Sequence, residues 1–168
     1  MELEVMNNMA RSEAVEELLK ACGSLDWATR LADERPFHDL NSLLNRSDDI
    51  WWSLGEKDWL EAFSHHPKIG ERRAAHAVSE EARRWSEEEQ SSTRLAAEET
   101  MLALINANHE YERKFGFIFI VCATGKTTEE MLALLKARLK NGSDEELRVA
   151  AEEQRRITHL RLKKLLEQ

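Results

Sequence analysis

Phe63-Ser64-His65-His66-Pro67-Lys68-Ile69-Gly70-Glu71 is the stretch around which the rest of the chain is organised. It follows an apolar helical pattern, Asp58 to Phe63, and closes that pattern with two histidines and a proline. Pro67 lacks the N–H that a continuing helix would use, and it biases the preceding residue away from helical backbone. The stretch therefore predicts a packed helix that ends at His66 in a fixed, non-helical corner.

Helical phase separates the two histidines. At about 100° per residue, His66 falls on the side of Trp59 and Phe63, whereas His65 points with Glu61 toward the polar side. We therefore expect His66 to face the interior or a pocket and His65 to face water. A histidine on an apolar face is usually a core or cap residue, but one held in a rigid corner is also suited to proton transfer.

Composition predicts an all-α fold in a single domain spanning residues 1–168. The chain is rich in Glu, Ala, Leu, Arg and Lys, contains only two prolines and six glycines, and is 42% hydrophobic. Such a composition favours helices and is sufficient for one hydrophobic core. No repeat or low-complexity linker divides the chain, and we expect residues 1–11 to form a flexible N-terminal extension.

Charge and hydropathy exclude several classes of partner. The formal net charge of −8 argues against nucleic acid, because phosphate binding requires a basic face. No apolar run approaches the roughly 20 residues that span a bilayer, so we expect no membrane partner. The acidic start, residues 1–4, lacks the layout of a secretory signal, and Cys22 and Cys122 lack CxxC spacing. These features predict a cytoplasmic protein with reduced thiols.

Local signals place the remaining helices. Apolar spacing and Gly23 predict a helix over about 12–21, and Pro36 is placed to start another. A capping-box pattern at Ser86–Glu89 and Gly116 predict a helix over about 87–114. Capping-box patterns at Thr127–Glu130 and Ser143–Glu146 predict the starts of the last two helices. The apolar run Phe117–Ala123 predicts a short buried extended or helical segment.

Arg161 is the unusual residue of the last predicted helix. Ala150, Ile157 and Leu165 define a buried stripe, and Arg161 falls inside it, four residues after Ile157. Burying an unpaired guanidinium costs several kcal/mol, so Arg161 should meet a carboxylate, a backbone acceptor or an anionic ligand. The alternative is an arginine whose stem packs while its head reaches water.

Five groups of residues carry a family resemblance. They are Arg35-Pro36-Phe37; Asp58 to Phe63 with His66-Pro67-Lys68-Ile69-Gly70; Trp85-Ser86 with Glu89-Gln90; Asn108 and Tyr111 with Lys114-Phe115-Gly116-Phe117; and Ile157 with Arg161-Leu162. In this order and spacing they resemble 2-oxo-4-hydroxy-4-carboxy-5-ureidoimidazoline (OHCU) decarboxylase, which completes urate breakdown to (S)-allantoin. The likeness covers about residues 12–166.

The resemblance implies an all-helical bundle of the OHCU decarboxylase type, usually a homodimer. It implies a carboxy-lyase that converts OHCU to (S)-allantoin and that needs neither a metal nor an organic cofactor. It also leaves room for association with the preceding hydrolase of urate degradation.

The same resemblance implies the site residues. The catalytic residues would be His66, Glu89 and Arg161, with the histidine matching the one that helical phase selects. The substrate-binding residues would be Pro67, Ser86, Glu87, Glu88, Glu89, Gln90, Phe119, Ile120, Val121, Cys122, Ala123 and Arg161. The alternative interpretation of Glu89 is a capping-box carboxylate, and that of Phe119–Ala123 is a segment of the hydrophobic core. Ser91-Ser92 stands where family members often carry Ala or Gly.

Two rival readings remain open on sequence alone. A metal protein is disfavoured because the six histidines show no HxxxH or HExxH spacing. A non-catalytic helical protein-interaction domain would use the tryptophan-rich half of the chain as a partner surface. That alternative predicts a stable protein complex and no effect on OHCU.

Overall fold

The computed structural model describes residues 1–67 and 87–167, with the backbone alone for 87–94. These residues form eight α-helices and no strand, which confirms the predicted all-α class. The helices are α1 Leu3–Asn8, α2 Arg11–Leu19, α3 Leu25–Asp33, α4 Leu40–Ser53, α5 Glu56–Ser64, α6 Glu87–Phe115, α7 Thr128–Arg138 and α8 Ser143–Leu166.

The chain divides into two compact units. The first unit comprises Met1–His66, Ile120–Cys122 and Leu147–Gln168, and the second comprises Pro67–Phe119 and Ala123–Glu146. The organisation of residues 1–168 as one domain therefore stays a prediction.

The first unit is built around α3, which packs against α2, α4 and α5. Its amphipathic sequence buries Trp27 and Leu31 completely, and Ser24 caps its start by accepting a hydrogen bond from the Trp27 backbone N–H at 3.2 Å. The indole of Trp51, on α4, donates to the backbone oxygen of Ala151, on α8, at 3.0 Å. Buried aromatic rings with satisfied N–H groups thus fix the helices that surround the histidine corner.

The N-terminal residues belong to this unit, which differs from the flexible extension expected for residues 1–11. Met6 is fully buried, and Asn7 exchanges two 2.9 Å hydrogen bonds with the backbone of Phe37. Arg35 donates to the backbone oxygens of Met6 and Met9 at 2.7 and 2.9 Å. A buried side chain and these distant backbone contacts hold α1 in place.

The start of α4 also differs from its prediction. Pro36 does not begin a helix; the helix begins at Leu40, and Asp39 is its N-cap. The Asp39 carboxylate accepts a hydrogen bond from the Ser42 backbone N–H at 2.7 Å. An acceptor that satisfies an otherwise unpaired amide outweighs a proline three residues upstream as a start signal.

The second unit contains a buried polar cluster. Its helices α6 and α7 pack together, and Glu146 is fully buried among three donors. Tyr111 donates to it at 2.5 Å, Arg138 at 2.6 Å and Asn141 at 2.9 Å. Burial and the neighbouring Glu146 raise the pKa of Tyr111 above its usual range. The predicted start of α8 at Ser143 is confirmed, but Glu146 does not complete a capping box, because its carboxylate is directed to these three side chains.

The other predicted capping box is confirmed. The Thr127 hydroxyl accepts a hydrogen bond from the Glu130 backbone N–H at 3.1 Å and starts α7. Of the buried extended or helical segment expected at Phe117–Ala123, the structure shows the non-helical form, with residues 119–122 buried.

Candidate active site

The end of α5 sets the positions of the two histidines. Phe63 is fully buried, His66 is half-buried and His65 is exposed, as helical phase predicts. The backbone N–H groups of His65 and His66 still bond to Ala62 and Phe63, at 3.3 and 3.2 Å, before Pro67 ends the run. His65 packs against Gly23, because a Cβ added at Gly23 would stand 2.5 Å from His65 Cγ.

The ring of His66 is anchored to α8. Its Nε2 atom lies 2.5 Å from Oε1 of Gln154, a fully buried side chain. The Gln154 amide nitrogen donates to the Thr158 hydroxyl at 3.1 Å, and that hydroxyl donates to the Gln154 backbone oxygen at 2.9 Å. A continuous chain of hydrogen bonds therefore runs from the imidazole into the interior of the unit.

Burial lowers the pKa of His66 below its ordinary value. The hydrogen bond to Gln154 opposes this shift, while the charge of Arg161 and the neighbouring His65 add to it. A lowered pKa favours the neutral ring at pH 7, and a neutral imidazole can accept a proton.

Arg161 is exposed, so its predicted burial is wrong. The buried positions of α8 are Glu146, Ala150, Ala151, Gln154, Thr158 and Leu162. The predicted stripe relied on Ile157 and Leu165, which are only half-buried. Arg161 still acts on the site electrostatically, because its charge lowers the pKa of both His66 and Cys22.

Cys22 is a buried neighbour of the same residues. Burial raises the pKa of its thiol to about 11, against opposing contributions from the Ser24 backbone, the Thr158 hydroxyl and Arg161. A thiol with such a pKa stays protonated and unreactive at neutral pH. Cys22 thus serves as packing beside the site rather than as a nucleophile.

Ile120, Val121 and Cys122 are buried and belong to the same unit as His66 and Arg161. The Cys122 backbone N–H donates to the Glu153 carboxylate, on α8, at 3.2 Å. One of the amides expected to contact substrate is therefore paired with a protein carboxylate in this structure.

The other predicted binding residues belong to the second unit or lie outside the described residues. Pro67 is exposed, Phe119 is buried and Ala123 is half-buried. Ser86 lies outside the described residues. The side chains of Glu87, Glu88, Glu89 and Gln90, in the first turn of α6, also lie outside them. Their roles stay predictions.

Gln154 and Thr158 are site residues that the sequence reasoning missed. They precede Arg161 by seven and three residues, which places all three on one face of a helix. A search for polar residues at this spacing from Arg161 would have found them. An apolar stripe does not reveal a buried amide side chain.

Within the described ranges, no cluster of three His, Cys, Asp or Glu residues is placed to hold a metal ion. None of the described helices has the length and apolar character needed to cross a bilayer.

The sequence profile described as OHCU decarboxylase matches residues 7–163. The chain belongs to the OHCU decarboxylase family. That match covers the histidine corner, the first turn of α6 and the α8 residues that contact His66, so the resemblance noted in the sequence is confirmed as family membership.

Two relatives of this chain are named as bifunctional proteins. The uric acid degradation bifunctional protein TTL of Arabidopsis thaliana is 38% identical over 158 residues, covering 94% of this chain and 48% of the relative. A uric acid degradation bifunctional protein of Bacillus sp. (strain TB-90) is 29% identical over 168 residues, covering 98% and 32%. The chain therefore spans about half and about a third of these two relatives.

A solved structure of the OHCU decarboxylase family has the same fold. The crystal structure of OHCU decarboxylase in the presence of (S)-allantoin is 35% identical and superposes with a TM-score of 0.74. The match covers 91% of this chain and 99% of that one. The all-helical fold of the OHCU decarboxylase type is thereby confirmed.

Proposed function

We propose that the protein decarboxylates OHCU to (S)-allantoin. The observation that carries the proposal is the half-buried His66 ring, held 2.5 Å from Gln154 and with its pKa lowered by burial and by the charge of Arg161, in a chain that belongs to the OHCU decarboxylase family. A neutral base next to a permanent positive charge suits an anionic substrate that must also exchange a proton.

The chemistry follows from the substrate's structure. OHCU carries a hydroxyl and a carboxylate on one ring carbon, next to the imine carbon that bears the ureido group. When the bond to the carboxylate breaks, its electron pair forms a carbon–carbon double bond and the imine pair moves to the ring nitrogen. That nitrogen takes a proton from water. The electron sink is thus internal to the substrate, and we propose that no metal or organic cofactor is needed.

The resulting enol must then become allantoin. Its hydroxyl loses a proton, the carbonyl forms, and the ureido-bearing carbon gains a proton on one face. We assign this transfer to His66, which accepts the hydroxyl proton as a neutral base and returns it to carbon as imidazolium. Delivery from a ring fixed by Gln154 would reach one face of the substrate, which accounts for a single enantiomer.

The remaining site residues bind and orient. Arg161 offers fixed donors to the carboxylate or a ring carbonyl. Glu89, with Glu87, Glu88 and Gln90, is assigned to the polar ureido and hydroxyl groups. Pro67 and Ser86 would line the pocket, and the backbone from Phe119 to Ala123 would contact the ring. Because the Cys122 amide is bonded to Glu153, we expect the neighbouring amides to make most of those contacts.

We further propose that the protein acts in the cytoplasm as a homodimer. Association with the preceding hydrolase of urate degradation is a related proposal, supported by the bifunctional relatives. Sedimentation of the purified protein and co-purification with that hydrolase test the two points separately.

The test of the proposed activity generates OHCU in place from urate with the two preceding enzymes. Adding this protein should accelerate the appearance of optically active allantoin, followed by circular dichroism. Product that is racemic and forms at the spontaneous rate would refute the assignment and favour a non-catalytic interaction domain.

A further inference from the structure

The hydrogen bonds beneath His66 follow one direction in this structure. The Thr158 hydroxyl has a single hydrogen, and it points to the Gln154 backbone oxygen at 2.9 Å. The Thr158 oxygen must then accept from the Gln154 side chain at 3.1 Å, so the group there is the amide NH₂. This leaves the amide oxygen of Gln154 facing His66.

An amide oxygen can only accept, so the ring atom 2.5 Å away must donate. In a neutral imidazole one nitrogen carries a hydrogen and the other carries a lone pair. The arrangement therefore places the hydrogen on Nε2 and the lone pair on Nδ1. Among the described residues, the ring makes no other hydrogen bond.

Burial protects this arrangement from exchange with water. Gln154 is fully buried and Thr158 is 3% exposed, so a rotated Gln154 amide would find no solvent partner. Rotation would aim the NH₂ group at His66 and require the Thr158 hydroxyl to abandon the backbone oxygen. Each buried polar group left without its partner carries an energetic penalty.

We propose that Gln154 and Thr158 are positioning residues that hold the hydrogen of neutral His66 on Nε2, making Nδ1 the nitrogen that exchanges the proton with substrate. The role of Nδ1 rests on the proposed function, whereas the position of the hydrogen rests on the hydrogen bonds alone. In the reaction, Nδ1 takes the hydroxyl proton and later returns it to the ureido-bearing carbon. The Nε2–H bond to Gln154 is kept throughout.

The charged and titratable groups around His66 are few among the described residues. Arg161 acts on it from α8, and His65 precedes it. Arg161 has no acceptor atom, and the exposed His65 makes no hydrogen bond with the His66 ring among the described residues. Cys22 is hydrogen-bonded to the Thr158 hydroxyl, and its protonated thiol adds no charge.

The first test reads the tautomer directly, by ¹⁵N NMR of histidine-labelled protein at a pH where His66 is neutral. The wild type should show a pyrrole-type nitrogen at Nε2 and a pyridine-type nitrogen at Nδ1. Thr158→Val removes the acceptor of the Gln154 NH₂ group, so the amide should rotate and the hydrogen should move to Nδ1. Thr158→Ser keeps the hydroxyl and should keep the wild-type pattern, as should Cys22→Ala.

The second test reads activity on OHCU. In Thr158→Val, kcat should fall by about fivefold or more, the scale of losing one net hydrogen bond, with KM changed by less than about twofold. Thr158→Ser should restore most of the rate. A merely structural role for Thr158 would lower activity without moving the hydrogen from Nε2.

Gln154→Glu provides a second variant if Thr158→Val fails to fold. A carboxylate also only accepts, so the Nε2–H tautomer should remain, while its negative charge should raise the pKa of His66. The acid limb of the kcat profile should then shift to higher pH. A wild type with its hydrogen on Nδ1, or a Gln154→Glu profile that does not shift, would overturn the inference. Absence of decarboxylation in the wild type would instead refute the proposed function and leave the tautomer result standing.

Discussion

Removing Arg138 should strand a buried negative charge. The Glu146 side chain is fully buried, and the side chain of its partner Arg138 is only 9% exposed. In Arg138→Met, the carboxylate keeps Tyr111 and Asn141 as donors but loses its countercharge. Breaking a buried ion pair in this way costs about 3–5 kcal/mol. Because two donors remain, we expect about 3 kcal/mol.

The assay is urea unfolding followed by far-UV circular dichroism. With a slope of about 2 kcal/mol per molar urea, a loss of about 3 kcal/mol lowers the unfolding midpoint by roughly 1.5 M. Methionine fills much of the volume of the arginine stem, so the change isolates the charge. The guanidinium also lies 4.5 Å from the Phe119 ring centroid, and loss of that cation–π contact acts in the same direction.

Two controls make this prediction refutable. Arg11→Met breaks the exposed pair with Asp33, whose side chains are 60% and 50% exposed, and should shift the midpoint far less. Adding Glu146→Gln to Arg138→Met removes the stranded charge and should recover part of the loss. Equal midpoints for Arg138→Met and Arg11→Met would show that burial does not govern the cost of the lost charge.

Further predictions concern the histidine corner. His66→Asn should lower the decarboxylation rate by about 10²–10⁴-fold, the usual share of a proton-transfer residue, whereas His65→Asn should cost much less; steady-state kinetics on folded variants compares them. Gly23→Ala should destabilise by about 1–3 kcal/mol, because its Cβ would stand 2.5 Å from His65 Cγ, and thermal unfolding measures this against Gly55→Ala, where an added Cβ meets nothing within 4 Å. Since the pKa of His66 is lowered from 6.5 in the folded state, its contribution to stability should be present above pH 6.5 and lost as pH falls through the folded pKa. The unfolding free energies of wild type and His66→Asn, measured against pH, should therefore change relative to each other only below pH 6.5.

Each of these outcomes has a clear opposite. A His65→Asn defect as large as that of His66→Asn would contradict the assignment from helical phase. Equal melting temperatures for Gly23→Ala and Gly55→Ala would mean that the histidine corner yields easily to the extra methyl group. A pH-dependence of stability identical in wild type and His66→Asn would assign the titration to other groups.

The parts of the site that sequence could predict are those fixed by local chemistry. Pro67 ends the helix because of its own covalent structure, and the separation of His65 from His66 follows from helical geometry over a few residues. The Thr127 cap likewise depends on atoms three residues apart. Such features need no knowledge of distant partners.

The errors arose where distant partners decide. Glu146 matches a capping box in sequence, yet its carboxylate accepts a hydrogen bond from a buried tyrosine 35 residues away. The side of α8 that is buried contains Gln154 and Thr158, polar residues that are tolerated because each is hydrogen-bonded. Arg35 holds α1 through backbone oxygens 26 and 29 residues away, which no residue in 1–11 signals.

The tryptophans of the described residues all lie in the first unit, where Trp59 has Trp51 and Trp52 within 6.0 and 5.8 Å between ring centroids. Tyr111, the single tyrosine of the chain, lies in the second. The two units therefore differ as chromophores. Position 85, a fifth tryptophan, belongs to the second unit. In a Trp85→Phe variant, indole emission during unfolding should report on the first unit, whereas far-UV dichroism sums helices from both units. Coincident transitions by the two methods would indicate one cooperative domain over residues 1–168, and separated transitions would indicate two.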